Sequence, residues 1–392
     1  MNQTIGILHQ SFPYGGAETA TLRLAEGLSR HGYHIYVFCT DYRKDLANPT
    51  EDYYTIQIMP DSITINSEEN VNYLLDKIKE YDISNFCISC NEFIPTLCQL
   101  KERGCPAKLI YIQHGQPFWE KESRLDASFT RSFHKLKIIL INRTKEKLFG
   151  SYTKRWQQRY AIIYDHCDFY VTLHPQYSQT IQTAIKRKGE KFVAIPNMIE
   201  PGFLYENKKK QLLYSGRMSR MDKRVDRLIK IWAQIYSKVP QWELVLVGDG
   251  RELPTLKALT EQLQLPRVRF EGWQKDVKKY YQEASIICLT STFESFGLCL
   301  TEAMSYGCVP IAYNCSAGVT DIIMNNGILI PTFRQEEYAN RLVELMQNDN
   351  LRTDLQKNSF ASIQRFYPEN IIPQWIRLFE RLPFSNSSYL IY

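Results

Sequence analysis

Long apolar runs are missing from this 392-residue sequence. Stretches such as Ile138–Ile141 fall far short of the roughly 18–20 residues a bilayer-spanning helix requires, which excludes a transmembrane helix. No basic segment with a cleavage site opens the chain. Met1–Thr4 leads straight into Ile5-Gly6-Ile7-Leu8, which reads as a buried first strand and argues against export. No two aspartates are separated by a single residue, so the Asp-x-Asp clamp for a divalent metal is absent. Walker A, Gly-x-Gly-x-x-Gly after a strand, and His-Glu-x-x-His are absent as well. The seven histidines show no clustering that suggests a metal site. Cys87-x-x-Cys90 has no second Cys or His pair at zinc-finger spacing, and it lies in a strand-like alternation. The ten cysteines, many inside apolar runs (Cys39, Cys288, Cys299, Cys308), read as reduced core thiols.

The length suggests two domains, and 44% hydrophobic against 23% charged residues supplies a real core. The net charge of +6 is unevenly placed: between Arg131 and Tyr160 nine Lys or Arg face the lone acid Glu146, so this window carries +8 and the rest of the chain −2. Phe133, Phe149, Tyr152, Trp156 and Tyr160 are interleaved with the cations. Basic and aromatic residues on a helix suit an anionic membrane surface. The same composition would serve nucleic acid or a plain solvated face.

The grammar of strand, turn and helix occurs in two blocks. The first runs from Thr4–Gln10 through Gly15-Gly16 into a helix from about Glu18 to Ser29, with further strands at His34–Thr40, near Phe86–Ser89, Leu109–Gln113 and Phe169–Leu173. The second predicts strands at Leu212–Ser215, Glu243–Val247, Val268–Glu271, Ser285–Leu289, Val309–Tyr313 and Gly327–Ile330. Helices at Arg224–Ser237, Leu253–Gln264, Lys275–Gln282 and Leu298–Tyr306 fill the gaps. This alternation implies α/β architecture with parallel, doubly wound sheets. Ile195-Pro196-Asn197, Pro201-Gly202 and the charged run Glu206–Lys210 mark a linker. The expected division is residues 1–197, residues 198–367, and a helical tail from 368 to 392 that could return to the first domain. Two such domains form a cleft at the carboxyl ends of their strands, where open sheets bind ligands.

Four features point to a phosphorylated ligand. Pro13-Tyr14-Gly15-Gly16-Ala17-Glu18 follows the first strand and opens a helix, which suits close approach of phosphate; a plain tight turn has the same sequence. Tyr214-Ser215-Gly216-Arg217, followed by Lys223, places two cations at a strand's carboxyl end, Arg for bidentate contact and Lys as a point charge. Glu294-Ser295-Phe296-Gly297-Leu298, running on to Glu302, sets two carboxylates, acceptors for sugar hydroxyls, around a loop that becomes a helix. The backbone N–H groups of Phe296–Leu298 can meet phosphate there. Glu302 stands among Leu300, Ala303 and Met304, so a buried partner is expected for it. His114, in Gln113-His114-Gly115 at a strand terminus, can donate to a hydroxyl or a developing charge.

From about Leu212 to Ile330 the chain resembles the retaining glycosyltransferases of family 4, which have the GT-B fold of two Rossmann-like domains facing each other across a cleft. The resemblance is carried by Ser215-Gly216-Arg217 with Lys223, Leu246-Val247-Gly248-Asp249-Gly250, Phe270-Glu271-Gly272, the Glu-x7-Glu element Glu294 to Glu302, and Gly307-Cys308-Val309-Pro310. The first domain matches more loosely, through Gly15-Gly16-Ala17-Glu18, Leu28, Gly32-Tyr33 and Pro196-Asn197. It implies that Arg217 and Lys223 hold a donor diphosphate, Glu302 the ribose hydroxyls and Glu294 the transferred sugar. Ser295, Phe296, Gly297 and Leu298 would line sugar and phosphate through their backbone. Gly15 and Gly16 would close over the diphosphate, and His114 would touch the sugar near its reacting face. Many relatives have Gly where Ser295 stands, so the fit around the sugar differs.

The resemblance implies metal-independent transfer of a hexose from a nucleotide diphosphate sugar to a glycan or lipid-linked saccharide, as in cell-surface polysaccharide or lipopolysaccharide synthesis. No cofactor or nucleic-acid partner is expected. The implied place is the cytoplasm, with Arg131–Tyr160 as a peripheral contact to the inner face of the membrane. A nucleotide-sugar epimerase of the same fold and a non-catalytic nucleotide- or polyanion-binding protein are the alternatives.

Overall fold

The computed structural model describes residues 3–13, 15–44, 52–125 and 133–380. The chain divides into two compact units, one of residues 1–117, 150–198 and 368–392, the other of residues 118–149 and 199–367.

The first unit contains the strands β1 (Thr4–Phe12), β2 (His34–Tyr42), β3 (Thr55–Ile58), β4 (Ile83–Ile88), β5 (Lys108–Gln113), β6 (Phe169–Thr172) and β7 (Phe192–Ala194). They form one parallel sheet in the order β3-β2-β1-β4-β5-β6-β7. Ile5, Ile7 and Leu8 on β1 and Phe86, Cys87 and Ile88 on β4 are fully buried, as strands covered on both faces require. The sequence anticipates neither β3 nor β7. Each has three or four residues at a sheet edge, and pairing to β2 or β6 defines it more than composition does.

Helix Pro368–Glu380 belongs to this first unit. A Cβ on Gly27 would meet Ile372 Cδ1 at 2.3 Å, so only glycine lets helix Gly16–Ser29 lie this close to it. Tyr33 Oη donates to Glu380 Oε1 at 3.0 Å, and Lys108 Nζ to the Phe379 carbonyl at 2.9 Å. The remainder of the expected tail, 381–392, lies outside the described residues.

The second unit contains β8 (Lys209–Ser215), β9 (Glu243–Val247), β10 (Val268–Gly272), β11 (Ala284–Leu289), β12 (Val309–Tyr313) and β13 (Ile328–Ile330), parallel in the order β10-β9-β8-β11-β12-β13. Helix Val225–Ile235 covers one face with Leu228, Ile229, Trp232 and Ile235, all almost wholly buried. Each such aliphatic side chain contributes roughly 1.5–3 kcal/mol relative to exposure. Trp232 satisfies its indole by donating to the Pro266 carbonyl at 3.1 Å. Both sheets therefore reverse strand order next to a central strand, at β1/β4 and at β8/β11, where doubly wound sheets place ligands.

The basic window is not one helix. It breaks at Gly150, which has φ 60°, into helices Phe133–Phe149 and Ser151–His166. The first groups with the second unit, whereas the sequence reading places it within residues 1–197. Trp156 and Tyr160, aromatics expected among the surface cations, are 7% and 1% exposed and pack against each other. Arg131 lies outside the described residues. Cys87 and Cys90 are free thiols, and burial pushes both up, Cys90 to about 12.

Candidate functional site

In the second unit the loops after β8 and β11 converge. Backbone contacts fix them: Met218 N–H donates to the Asp249 carbonyl at 2.7 Å, tying the β8 loop to the β9 loop, and Thr292 N–H donates to the Asp222 carbonyl at 2.7 Å, tying β8 to β11. Gly248 makes the first approach possible. Its φ is 128°, and a Cβ there would lie 2.0 Å from the Gly216 carbonyl oxygen.

This scaffold brings four of the sequence-predicted residues to one edge. Arg217 Nη2 lies 2.9 Å from Asp222 Oδ2, with the guanidinium side chain 65% exposed and free to meet an anion. Burial raises the Asp222 carboxyl, but Ser219, Lys223 and Arg217 outweigh it and hold the group below the ordinary carboxylate range. Lys223 Nζ lies 2.6 Å from Glu294 Oε2, with the two side chains 20% and 11% exposed. Burial disfavours the Lys223 charge; Glu294 chiefly, with Asp222, overcomes this and holds the ammonium above its ordinary value.

Glu302 finds the partner its apolar neighbours demand. Tyr281 Oη lies 2.9 Å from Glu302 Oε2 and 3.1 Å from Ser215 Oγ. One phenolic proton serves one acceptor, and the carboxylate is the stronger, so the serine hydroxyl donates back to the phenol oxygen. Burial, then Glu302, pushes the Tyr281 hydroxyl well above its ordinary value, which keeps it a donor. Cys299, between the two acids in sequence, is pushed to about 12 by burial and then by Glu294, so it stays a thiol.

The loop from Glu294 to Leu298 rests on Gly318, where a Cβ would meet the Ser295 carbonyl oxygen at 2.4 Å. Phe296 is 3% exposed and meets Phe366 edge-on at 5.2 Å, so its side chain serves the core and its backbone is what remains for a ligand. Gly297 precedes helix Leu298–Met304, and its carbonyl accepts from the N–H groups of Leu300 and Thr301.

Gly15, Gly16 and His114 lie in the first unit. Gly15 caps helix Gly16–Ser29 with φ 132°, and a Cβ there would meet Glu18 Oε2 at 2.2 Å. Tyr14 lies outside the described residues. His114 follows β5, and both its ring nitrogens are inaccessible and without a hydrogen-bond partner. Burial, and then neighbouring His9, lowers its pKa from 6.5 to about 3, so the ring is neutral near pH 7 and offers one N–H. His9, within β1, lies 2.9 Å from Thr21 Oγ1 through Nε2 and 3.6 Å from Glu18 Oε1 through Nδ1.

Sequence reasoning missed Asp222, Tyr281, Gly318 and His9. Asp222 alone left a trace, as the acid inside the Arg217–Lys223 loop. Tyr281 and Gly318 reach the site from other elements, and nothing in their local sequence marks them.

Two family models cover these elements in succession. The one described as Glycosyltransferase Family 4 matches residues 14–203, and the one described as Glycosyl transferases group 1 matches residues 199–362. The chain belongs to the family-4 glycosyltransferases. This family-4 chain is 32% identical over 213 residues to an uncharacterized glycosyltransferase of Haemophilus influenzae, covering 53% of the chain and 60% of the relative. It is 26% identical over 173 residues to the amylovoran biosynthesis glycosyltransferase AmsD of Erwinia amylovora, 44% of the chain and 48% of the relative. The matches thus span less than two thirds of these curated relatives. Among solved structures, Anabaena Alr3699/HepE in complex with UDP-glucose superposes with a TM-score of 0.74 at 18% identity, over 97% of this chain and 100% of that one. The shared fold is GT-B, with a Rossmann-like sheet in each unit.

Proposed function

We propose that this glycosyltransferase moves a hexose from a nucleoside diphosphate sugar to a saccharide acceptor with retention of configuration. The observation that carries the reading is the convergence of Arg217, Lys223 and Glu294 at the β8/β11 reversal, with Glu302 held by Tyr281 and Ser215 beside β8. Cleaving the bond between the anomeric carbon and the phosphate oxygen leaves negative charge on the departing diphosphate. Arg217 and Lys223 neutralise it with fixed cations, so the reaction proceeds without a divalent ion. Glu302 accepts from the ribose hydroxyls and Glu294 from hydroxyls of the transferred sugar. The acceptor hydroxyl attacks the face the leaving group vacates, and a phosphate oxygen of the donor takes its proton.

UDP-glucose, the ligand of the HepE complex, is the first donor to try. The reading takes a polysaccharide or lipid-linked saccharide as acceptor, met at the inner face of the cytoplasmic membrane; AmsD, named for amylovoran biosynthesis, supports its polysaccharide part alone. The test is a screen of UDP- and GDP-hexoses by thermal shift, followed by transfer assays with and without EDTA. A stabilising donor whose turnover survives EDTA and is lost in Glu294→Ala supports the reading. Normal turnover in Glu294→Ala refutes it, and turnover abolished by EDTA removes the metal-independent route.

A further inference from the structure

Among the described residues, helix Phe133–Phe149 carries an apolar surface that its neighbours leave exposed. Of the fifteen large hydrophobic side chains exposed among the described residues, five belong to it: Ile138, Leu140, Ile141, Leu148 and Phe149. Leu148 and Phe149 are 67% and 63% exposed. Residues three and four apart share a helix face, so Ile138, Ile141, Lys145, Leu148 and Phe149 form one strip, with Lys137 in line with Ile141. The side turned into the protein holds Ile139, which is buried, and Glu146, which is half-buried, while half-buried Asn142 borders the strip. Glu146 is the helix's single acid, so the exposed strip combines aliphatic and aromatic side chains with lysines and no carboxylate.

An anionic lipid surface complements this combination. The apolar groups would enter the headgroup boundary while the lysine stems reach up to phosphate oxygens. A second copy of the chain fits less well, because a two-fold contact of the strip with itself would set lysines against lysines. The helix is not long and apolar enough to cross the bilayer, so it lies in the interface plane.

We propose that helix Phe133–Phe149 is the element that seats this protein on an anionic membrane surface. It narrows the wider basic window to one face, since Trp156 and Tyr160 are buried and unavailable to lipid. The proposal rests on the transfer reading only for its purpose, access to a lipid-linked acceptor; docking itself needs no donor and no turnover.

The test is sedimentation of the full chain with vesicles of phosphatidylcholine alone and of phosphatidylcholine with phosphatidylglycerol. Binding to the anionic vesicles more than about tenfold tighter than to the neutral ones is expected. K137S/K145S weakens that binding by about twenty-five-fold, at about fivefold per lysine. L148S/F149S weakens it as well, with an unchanged melting temperature because both side chains are exposed. Phe149→Trp shifts its emission to the blue on anionic vesicles and is quenched by brominated acyl chains. No binding, equal binding to both vesicle types, or variants that bind like the unaltered chain would overturn the proposal. So would a dimer that L148S/F149S dissociates and that ignores lipid. A chain that docks on anionic vesicles but turns over no nucleotide sugar supports docking and counts against the transfer reading alone.

Discussion

Lys223 and Glu294 hold each other across the loops that follow β8 and β11, Nζ to Oε2 at 2.6 Å. The cation proposed for a diphosphate and the acid proposed for a sugar are thus each other's counterions. On the proposed reading an arriving diphosphate would compete with Glu294 for the ammonium, and success would free the carboxylate to accept from the sugar. On that reading the contact would couple the two halves of donor recognition.

Removing one member of this pair strands the other. Lys223→Ala leaves Glu294 largely buried and unpaired, and the expected loss is about 2–3 kcal/mol of folding stability, toward the lower end for buried pairs because both groups keep some solvent. K223M/E294Q, which removes both charges at similar volume, recovers most of it. Urea unfolding of the single and double variants checks this. Equal stability of Lys223→Ala and the parent chain would show that the pair is not held in solution.

Arg217 and Asp222 differ in exposure, and their variants separate accordingly. Arg217→Ala removes a direct cation and weakens donor binding by about ten- to hundredfold. Asp222→Asn leaves the guanidinium in place and only loosens its orientation, so a loss of a few fold is expected. Titration calorimetry with the nucleoside diphosphate distinguishes the two; a larger effect for Asp222→Asn contradicts direct binding by Arg217.

Tyr281 acts through Glu302. Tyr281→Phe deletes the hydroxyl that fixes the carboxylate and should cost about tenfold in nucleotide affinity. With a 2′,3′-dideoxy nucleotide the difference between the two proteins should vanish, because the hydroxyls proposed to bind Glu302 are gone. A loss that persists with the dideoxy ligand assigns Tyr281 to packing alone.

How much of this was legible beforehand divides along physical lines. The strands Glu243–Val247 and Val309–Tyr313 coincide with their expected bounds because runs buried on both faces announce themselves in composition. Arg217, Lys223, Glu294 and Glu302 were legible because each sits just after a predicted strand or in the helix that follows one. Their partners were not: Tyr281 stands 21 residues from Glu302, and a contact set by sheet order leaves no local signal. The basic window shows the opposite failure. Its composition was visible, but which faces of its two helices meet solvent is decided by tertiary packing, and that packing withdrew Trp156 and Tyr160.

His114 gives the chain an acid-sensitive point. Burial first and His9 second depress its pKa from 6.5 to about 3 in the folded state, so the folded chain resists a proton that the unfolded chain accepts. No penalty exists above pH 6.5; stability falls as pH drops from 6.5 toward 3, by up to about 1.4 kcal/mol per pH unit. His114→Gln should flatten that part of the stability profile, read by urea unfolding between pH 7 and 4. An identical acid slope in the variant would place the titration elsewhere.

The central claim is that the β8/β11 edge receives the donor's diphosphate. A crystal structure of the chain with a nucleoside diphosphate sugar tests it directly. The account predicts phosphate oxygens within about 3 Å of the Arg217 guanidinium and Lys223 Nζ, ribose hydroxyls on Glu302, and Glu294 turned from Lys223 to the sugar. A diphosphate bound away from Arg217 and Lys223 would contradict it.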